Sequence, residues 1–146
     1  MKRLHVHIKT DDLDASTKFY TAMFGQAPTQ KEADYAKWLL DDPRAHVSLS
    51  SHGGAPGIDH AGISVETQAE LDTVAKRLTD TGALAAPEEN TTCCYARSNK
   101  YWARDPNGAV WELFQTFGAS YEYGAEPDRS EAETAPANQS CCAPSA

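Results

Sequence analysis

"LHVHIKTDDLDASTKFYTAMFG", residues 4–25, and "DHAGISVETQAELDTVAKRLTDTG", residues 59–82, decide the fold, because the second repeats the plan of the first. Each carries an early histidine (His5, His60), an alternating stretch, an acidic or polar junction, an amphipathic helical run and a glycine (Gly25, Gly82). Leu4, Val6 and Ile8 point to one face of a strand, with His5, His7 and Lys9 on the other; Ala61, Ile63 and Val65 oppose His60, Gly62 and Ser64 in the same way. The first helix, near 14–24, is expected to turn Phe19, Tyr20 and Met23 toward the sheet. The second, near 68–80, starts at Thr67 with Glu70 three residues on, a capping box. It should bury Leu71, Val74 and Leu78 and end at Gly82. The repeat continues in "DDPRAHVSLS" (41–50) and "RDPNGAVWELF" (104–114), each an Asp-Pro turn leading into a strand. Further strands are expected around 35–40, 46–50, 100–104 and 109–115, so the class is α+β, built from two strand–helix–strands units.

The 146 residues suffice for one domain with a core. A net charge of −8 without a basic cluster argues against nucleic acid and anionic membrane surfaces as partners. No apolar run approaches a membrane span, and the alternation near the N-terminus reads as a strand, not a signal peptide. A cytoplasmic location is therefore expected. From about Ala119 the chain becomes rich in Ala, Glu, Ser and Pro, and such a segment buries too little apolar surface to offset its ordering entropy. The expected organisation is a domain over 1–118, with modules about 1–55 and 56–118, and a mobile acidic tail over 119–146 ending in Cys141-Cys142.

All four cysteines come as adjacent pairs, Cys93-Cys94 and Cys141-Cys142. The cytosol keeps thiols reduced, and a disulfide between neighbouring residues closes a strained ring. Free thiols that bind a soft ligand are the better reading. Cys93-Cys94 lie in a polar stretch, "ENTTCCYARSNKYW" (89–102), expected as a loop between the second helix and the final hairpin.

The polar strand faces suggest a metal site. Glu112 sits in "AVWELF", sharing a face with Val110 and Phe114, and a carboxylate in an apolar strand is costly unless paired or coordinated. Two histidines and a carboxylate on three strands are a ligand set for a divalent transition metal with open positions, and suit non-haem Fe(II), with Mn, Co, Ni or Zn as other occupants. His60 is the repeat partner of His5, but His7 shares the face of His5, and pattern alone does not choose between them. Ser48 stands where the first half would match Glu112, which leaves three ligands. His46 and His52 read as surface or loop residues.

These motifs resemble the vicinal oxygen chelate superfamily (glyoxalase, bleomycin resistance, dioxygenase). Residues 4–25 resemble its first module, "DHAGISVE" (59–66) the opening of its second, and "YWARDPNGAVWELF" (101–114) its closing hairpin. The resemblance implies paired βαβββ modules forming an open barrel-like metal cleft, with His5, His60 and Glu112 as ligands. "TTCCYARSNKYW" (91–102) before that hairpin is similar to the branch containing carbon–arsenic lyases and cadmium-induced proteins, as is the terminal cysteine pair. That branch implies Fe(II)- and O2-dependent cleavage of the carbon–arsenic bond of trivalent organoarsenicals, methylarsenite and aromatic arsenicals among them, releasing arsenite.

In that reading Cys93 and Cys94 hold the arsenic, because soft trivalent arsenic prefers thiolates and a monosubstituted arsenical has two exchangeable positions. Arg97 and Lys100 would lower the thiol pKa values, or be solvated charges; Tyr95, Tyr101 and Trp102 would line the cleft, or Trp102 pack the hairpin. Cys141 and Cys142 would be accessory thiols. The alternatives are thiol-based sequestration of cadmium or arsenite without turnover, and a glyoxalase-like or extradiol activity that leaves Cys93-Cys94 unexplained. The chain would act as a monomer or homodimer.

Overall fold

The structure, a computed structural model, describes residues 1–125; the expected tail beyond that point, with Cys141 and Cys142, lies outside the described residues. The first module comprises β1 (Arg3–Lys9), α1 (Leu13–Phe24), β2 (Gln30–Lys31), β3 (Tyr35–Asp41) and β4 (Arg44–Ser50). The second comprises β5 (Gly57–Val65), α2 (Gln68–Thr79), β6 (Leu84–Cys93), β7 (Ala96–Arg104) and β8 (Val110–Ala119). One eight-stranded sheet runs in the order β2-β3-β4-β1-β5-β8-β7-β6. β1 pairs parallel with β4, β5 pairs parallel with β8, and the two modules join through the antiparallel β1–β5 pair. This is the paired βαβββ arrangement the repeat predicts, and it curls into a half-barrel.

Each helix covers its own half of the convex face. Asp12 caps α1, its side chain accepting from the Ala15 N–H at 2.8 Å, and Gly25 closes it in the left-handed region at φ 69°. Leu13, Tyr20 and Phe24 pack on Ala36, Trp38, Leu40, Val47 and Leu49. The predicted inward face of α1 is therefore rotated: Phe19 and Met23 are exposed, because Leu13, Thr17, Tyr20 and Phe24 recur at helical spacing and take the sheet side. Thr67 caps α2 as expected, and Leu71, Val74 and Leu78 pack on Ile63, Val65, Leu113 and Tyr101. The C-cap of α2 is Asp80; Gly82, at φ 72°, turns the chain after it. Fully buried Leu49 and Leu71 anchor the two small cores, each contributing about 1.5–3 kcal/mol from burial.

β6 is not among the expected strands. Pro87 and the polar run after it mask it, and both are tolerated because β6 is the sheet edge. The expected loop around Cys93-Cys94 is consequently a tight hairpin turn between β6 and β7. β8 ends at Ala119, and Gly124 bridges back to Cys93, where any side chain would collide with the Thr92 carbonyl oxygen.

Candidate metal centre and thiol pair

The concave face carries the polar side of the strands, and it is buried. On β1 the histidines lie inside, at 3 % exposure for His5 and 4 % for His7, while Leu4 on the convex side is 54 % exposed. Alternation alone would put the histidines in water; the curl of the sheet inverts that.

Three ligand atoms converge at the centre. His5 Nε2 and His60 Nε2 are 3.3 Å apart, and Glu112 Oε2 lies 3.5 Å from the first and 3.3 Å from the second. The hydrogen bonds of the other ring nitrogens fix which way these rings face. His5 Nδ1 donates to the His46 carbonyl at 3.0 Å, and His60 Nδ1 donates to Asp59 Oδ2 at 2.7 Å. In the neutral rings Nε2 is then a lone pair on both, aimed at the same point as a carboxylate oxygen. With both rings neutral these three acceptors form a seat for a cation, and a triangle of this size suits ligands about 2 Å from one ion; without an ion, a proton on His60 Nε2 bonds Glu112 instead. Carboxylate and carbonyl partners behind the histidines are the usual support of metal-ligating imidazoles. The donor set fits a divalent transition metal.

His7 lies in the same buried group, its ligand atom within 4.8 Å of those of His5 and His60. Both its nitrogens are taken, Nδ1 by Ser48 Oγ at 3.0 Å and Nε2 by Ser50 Oγ at 2.8 Å, and its ring stacks on His60 at 5.0 Å. We therefore favour Glu112 over His7 as the third ligand. Burial pulls His5 down to about 4 and His7 to about 3, so both are neutral. Burial also acts against His60, but the bonds to Asp59 and Glu112 outweigh it and raise it. For Glu112, burial favours the protonated acid; Lys100, 2.8 Å from Oε1, together with His60 and His5, reverses this and holds the carboxyl well below its ordinary range. Gly62, the register partner of Glu112, allows β5 and β8 this close: a Cβ there would strike the Glu112 carbonyl oxygen.

Cys93 and Cys94 open onto the same cleft, their sulfurs 3.1 Å apart. Cys94 (φ 56°) and Tyr95 (φ 59°) are the central residues of the β6–β7 turn, a left-handed pair that normally selects Asn and Gly. Asp34 holds this turn, accepting from the Tyr95 hydroxyl at 2.6 Å and pairing with His52 at 2.6 Å. The rings of Tyr35, Tyr95 and Tyr123 pack against one another beside the thiols, and His52 stacks on Tyr123 at 3.7 Å.

Several expectations change here. The Cys94 thiol is raised, not lowered, first by its hydrogen bond with Cys93 and then by burial. Lys100 is committed to Glu112, and Arg97 binds Asn90 at 2.7 Å and covers the Phe117 ring. Tyr101 packs on the convex core, away from the cleft. Trp102 is buried edge-on to His60 at 5.3 Å. His46 is not a surface residue: it is 7 % exposed and lines the cleft, and His52 is partly buried. Asp59, Lys100, His46 and Asp34 had no motif to reveal them. Asp59 adjoins a candidate ligand, and that neighbourhood was its one usable signal.

Residues 2–113 match the profile of the Glyoxalase/Bleomycin resistance protein/Dioxygenase superfamily. The chain belongs to this superfamily. Within the glyoxalase/dioxygenase superfamily, it is 36 % identical to a trivalent organoarsenical cleaving enzyme from Bacillus sp. strain MD1, covering 100 % of this chain and 93 % of that one. It is 29 % identical to the cadmium-induced protein CadI of Mycobacterium bovis, covering 97 % and 93 %. In fold it is similar to the 2,3-dioxygenase LapB from Pseudomonas sp. KL28, with a TM-score of 0.59 at 17 % identity, over 81 % of this chain and 42 % of that one.

Proposed function

We propose that this chain cleaves the carbon–arsenic bond of trivalent organoarsenicals, methylarsenite and aromatic arsenicals, releasing arsenite in an Fe(II)- and O2-dependent reaction. The observation that carries this reading is an adjacent thiol pair opening onto the same buried cleft as two imidazoles and a carboxylate. The similarity to a trivalent organoarsenical cleaving enzyme supports the substrate.

His5, His60 and Glu112 would hold the metal, which when bound supplies the one-electron chemistry that activates O2. The chain's own residues do the rest. Cys93 and Cys94 meet the dihydroxy form of the arsenical as thiols, since Cys94 is held protonated. Each forms an arsenic–sulfur bond and passes its proton to a departing hydroxide, which leaves as water. The exchange adds no charge to the cleft, and the carbon substituent remains on arsenic. Lys100 balances Glu112 on the side away from the ligand cluster. Trp102 screens His60 from solvent, and Asp34 anchors the thiol-bearing turn through Tyr95. Holding arsenic at a fixed place turns a bimolecular encounter into a positioned one.

Aerobic incubation of the iron-loaded protein with methylarsenite should release inorganic arsenite, read by chromatography. Cys93→Ser should abolish release, whereas serine at Cys141 and Cys142, the proposed accessory thiols, should leave most of it. Absence of arsenite with intact iron and reduced thiols would overturn the proposal. Sequestration of cadmium or arsenite is the second reading, favoured by the likeness to cadmium-induced proteins. Resistance that survives alanine at His5, His60 and Glu112 would select it.

A further inference from the structure

The catalytic reading leaves His46 and Lys37, both on the cleft wall, without a role. His46, on β4, has its Nε2 buried without a hydrogen-bond partner among the described residues. A buried polar atom of this kind costs about 1–3 kcal/mol and calls for an explanation. Its ring lies against His5 at 4.6 Å and Phe114 at 5.4 Å, on the cleft wall. Lys37, on β3, is opposite Ser48 and hence diagonal to His46 on the same face.

Charge in the cleft does not balance. Lys9, Lys37, Lys100, Asp59 and Glu112 line it, three cations against two anions. Lys9 pairs with Asp59 at 3.5 Å and Lys100 with Glu112 at 2.8 Å. The Lys37 ammonium has no ionic or hydrogen-bond partner among the described residues. Burial holds it below its ordinary range, as expected of a charge short of both solvent and partners. It lines the same cleft as Cys93 and Cys94.

We propose that Lys37 and His46 form an acceptor-binding subsite for an anionic oxygen group, a carboxylate in the first instance, on the organic substituent of an arsenical held by Cys93 and Cys94. Lys37 supplies the charge, and the neutral imidazole of His46 supplies an N–H donor from Nε2. The apolar ring of Phe114 packs against both His46 and His5 on the cleft wall and suits contact with an aryl group. The subsite rests on the thiol-capture part of the function proposed above, and not on turnover. It makes the chain selective among aromatic arsenicals, because a ligand without the acceptor leaves both donors unmatched.

The test is calorimetric titration of reduced, metal-free protein with phenylarsenite and with 4-carboxyphenylarsenite. A charge-assisted pair predicts a preference for the carboxylated ligand of roughly tenfold or more. Lys37→Met and His46→Phe should each bring the ratio of affinities toward one. Lys37→Glu should reverse the selectivity, favouring 4-(aminomethyl)phenylarsenite. A wild-type ratio near one, or a preference that survives both neutral variants, overturns the subsite. Failure to capture phenylarsenite at all overturns both the subsite and the thiol clamp. An intact preference in a protein that releases no arsenite when iron-loaded strikes only the proposed reaction. Benzoate binding with the same Lys37 dependence would show a free-anion site and overturn the assignment to the arsenical.

Discussion

Lys100 has one geometry and two tasks. It is 4 % exposed and its ammonium touches one oxygen of Glu112, leaving the other for the ligand cluster. Burial works against its charge, but the carboxylate beside it prevails and holds the ammonium above its ordinary range. Removing one member of a buried pair strands the other. Lys100→Met should therefore destabilise the metal-free protein by roughly 3–5 kcal/mol in urea unfolding. Metal loading should recover much of that loss, because a bound cation takes over the charge balance of Glu112. Equal losses with and without metal would mean that Glu112 does not face the ion. His46 shows the limit of residue-level reading: its neighbours Ala45 and Val47 give no hint of which face it takes, and only pairing of β4 with β1 sets it beside His5.

At the scale of elements, two close approaches decide the site. Gly62 lets β5 lie against β8 so that His60 and Glu112 face the same point, as the proposed metal site requires. Gly62→Ala should spread the two strands and weaken metal binding roughly tenfold or more, as loss of ligand support usually does, measured by competition with a chelating dye. Unchanged affinity would show that the strands can part without moving the ligands. The β6–β7 turn is the second approach. Cys94 and Tyr95 adopt left-handed conformations that cost about 1–2 kcal/mol each, so the turn needs an outside hold. Asp34 provides it and raises the Tyr95 phenol to about 12. A raised acid is favoured neutral in the fold, so this link is intact below pH 10 and is lost as pH rises through about 12. Ultraviolet titration should show a phenol near 12 that Tyr95→Phe removes and Asp34→Asn returns toward 10.

For the whole molecule, the cleft gathers buried histidines and a carboxylate around one point, so metal and fold should be linked. Binding to the native state alone stabilises by about 2.7 kcal/mol at a hundredfold excess over Kd. Thermal unfolding in Fe(II) or Mn(II) under reducing, anaerobic conditions should shift upward by roughly 5–10 °C. Glu112→Ala should abolish the shift; a shift that persists would move the ion elsewhere. The internal repeat was legible in the chain because it rests on local chemistry: alternation, caps and Asp-Pro turns act between near neighbours. From it followed the module plan and both helices; Glu112 stood out as a carboxylate in an apolar strand, Cys93 and Cys94 as adjacent thiols in a polar stretch, and the choice of His5 with His60 rested on the family resemblance. The same local rules misplaced Phe19 and Met23 and missed β6, because burial there depends on what curls over each segment. Sequence by itself determined which residue types are available and how each module folds. Tertiary structure alone decided which polar face becomes the interior, where His46 and Lys37 stand, and that His7 is occupied by Ser48 and Ser50. The physical reason is that a curled sheet assigns inside and outside by pairing between strands distant in the chain, which no local pattern encodes.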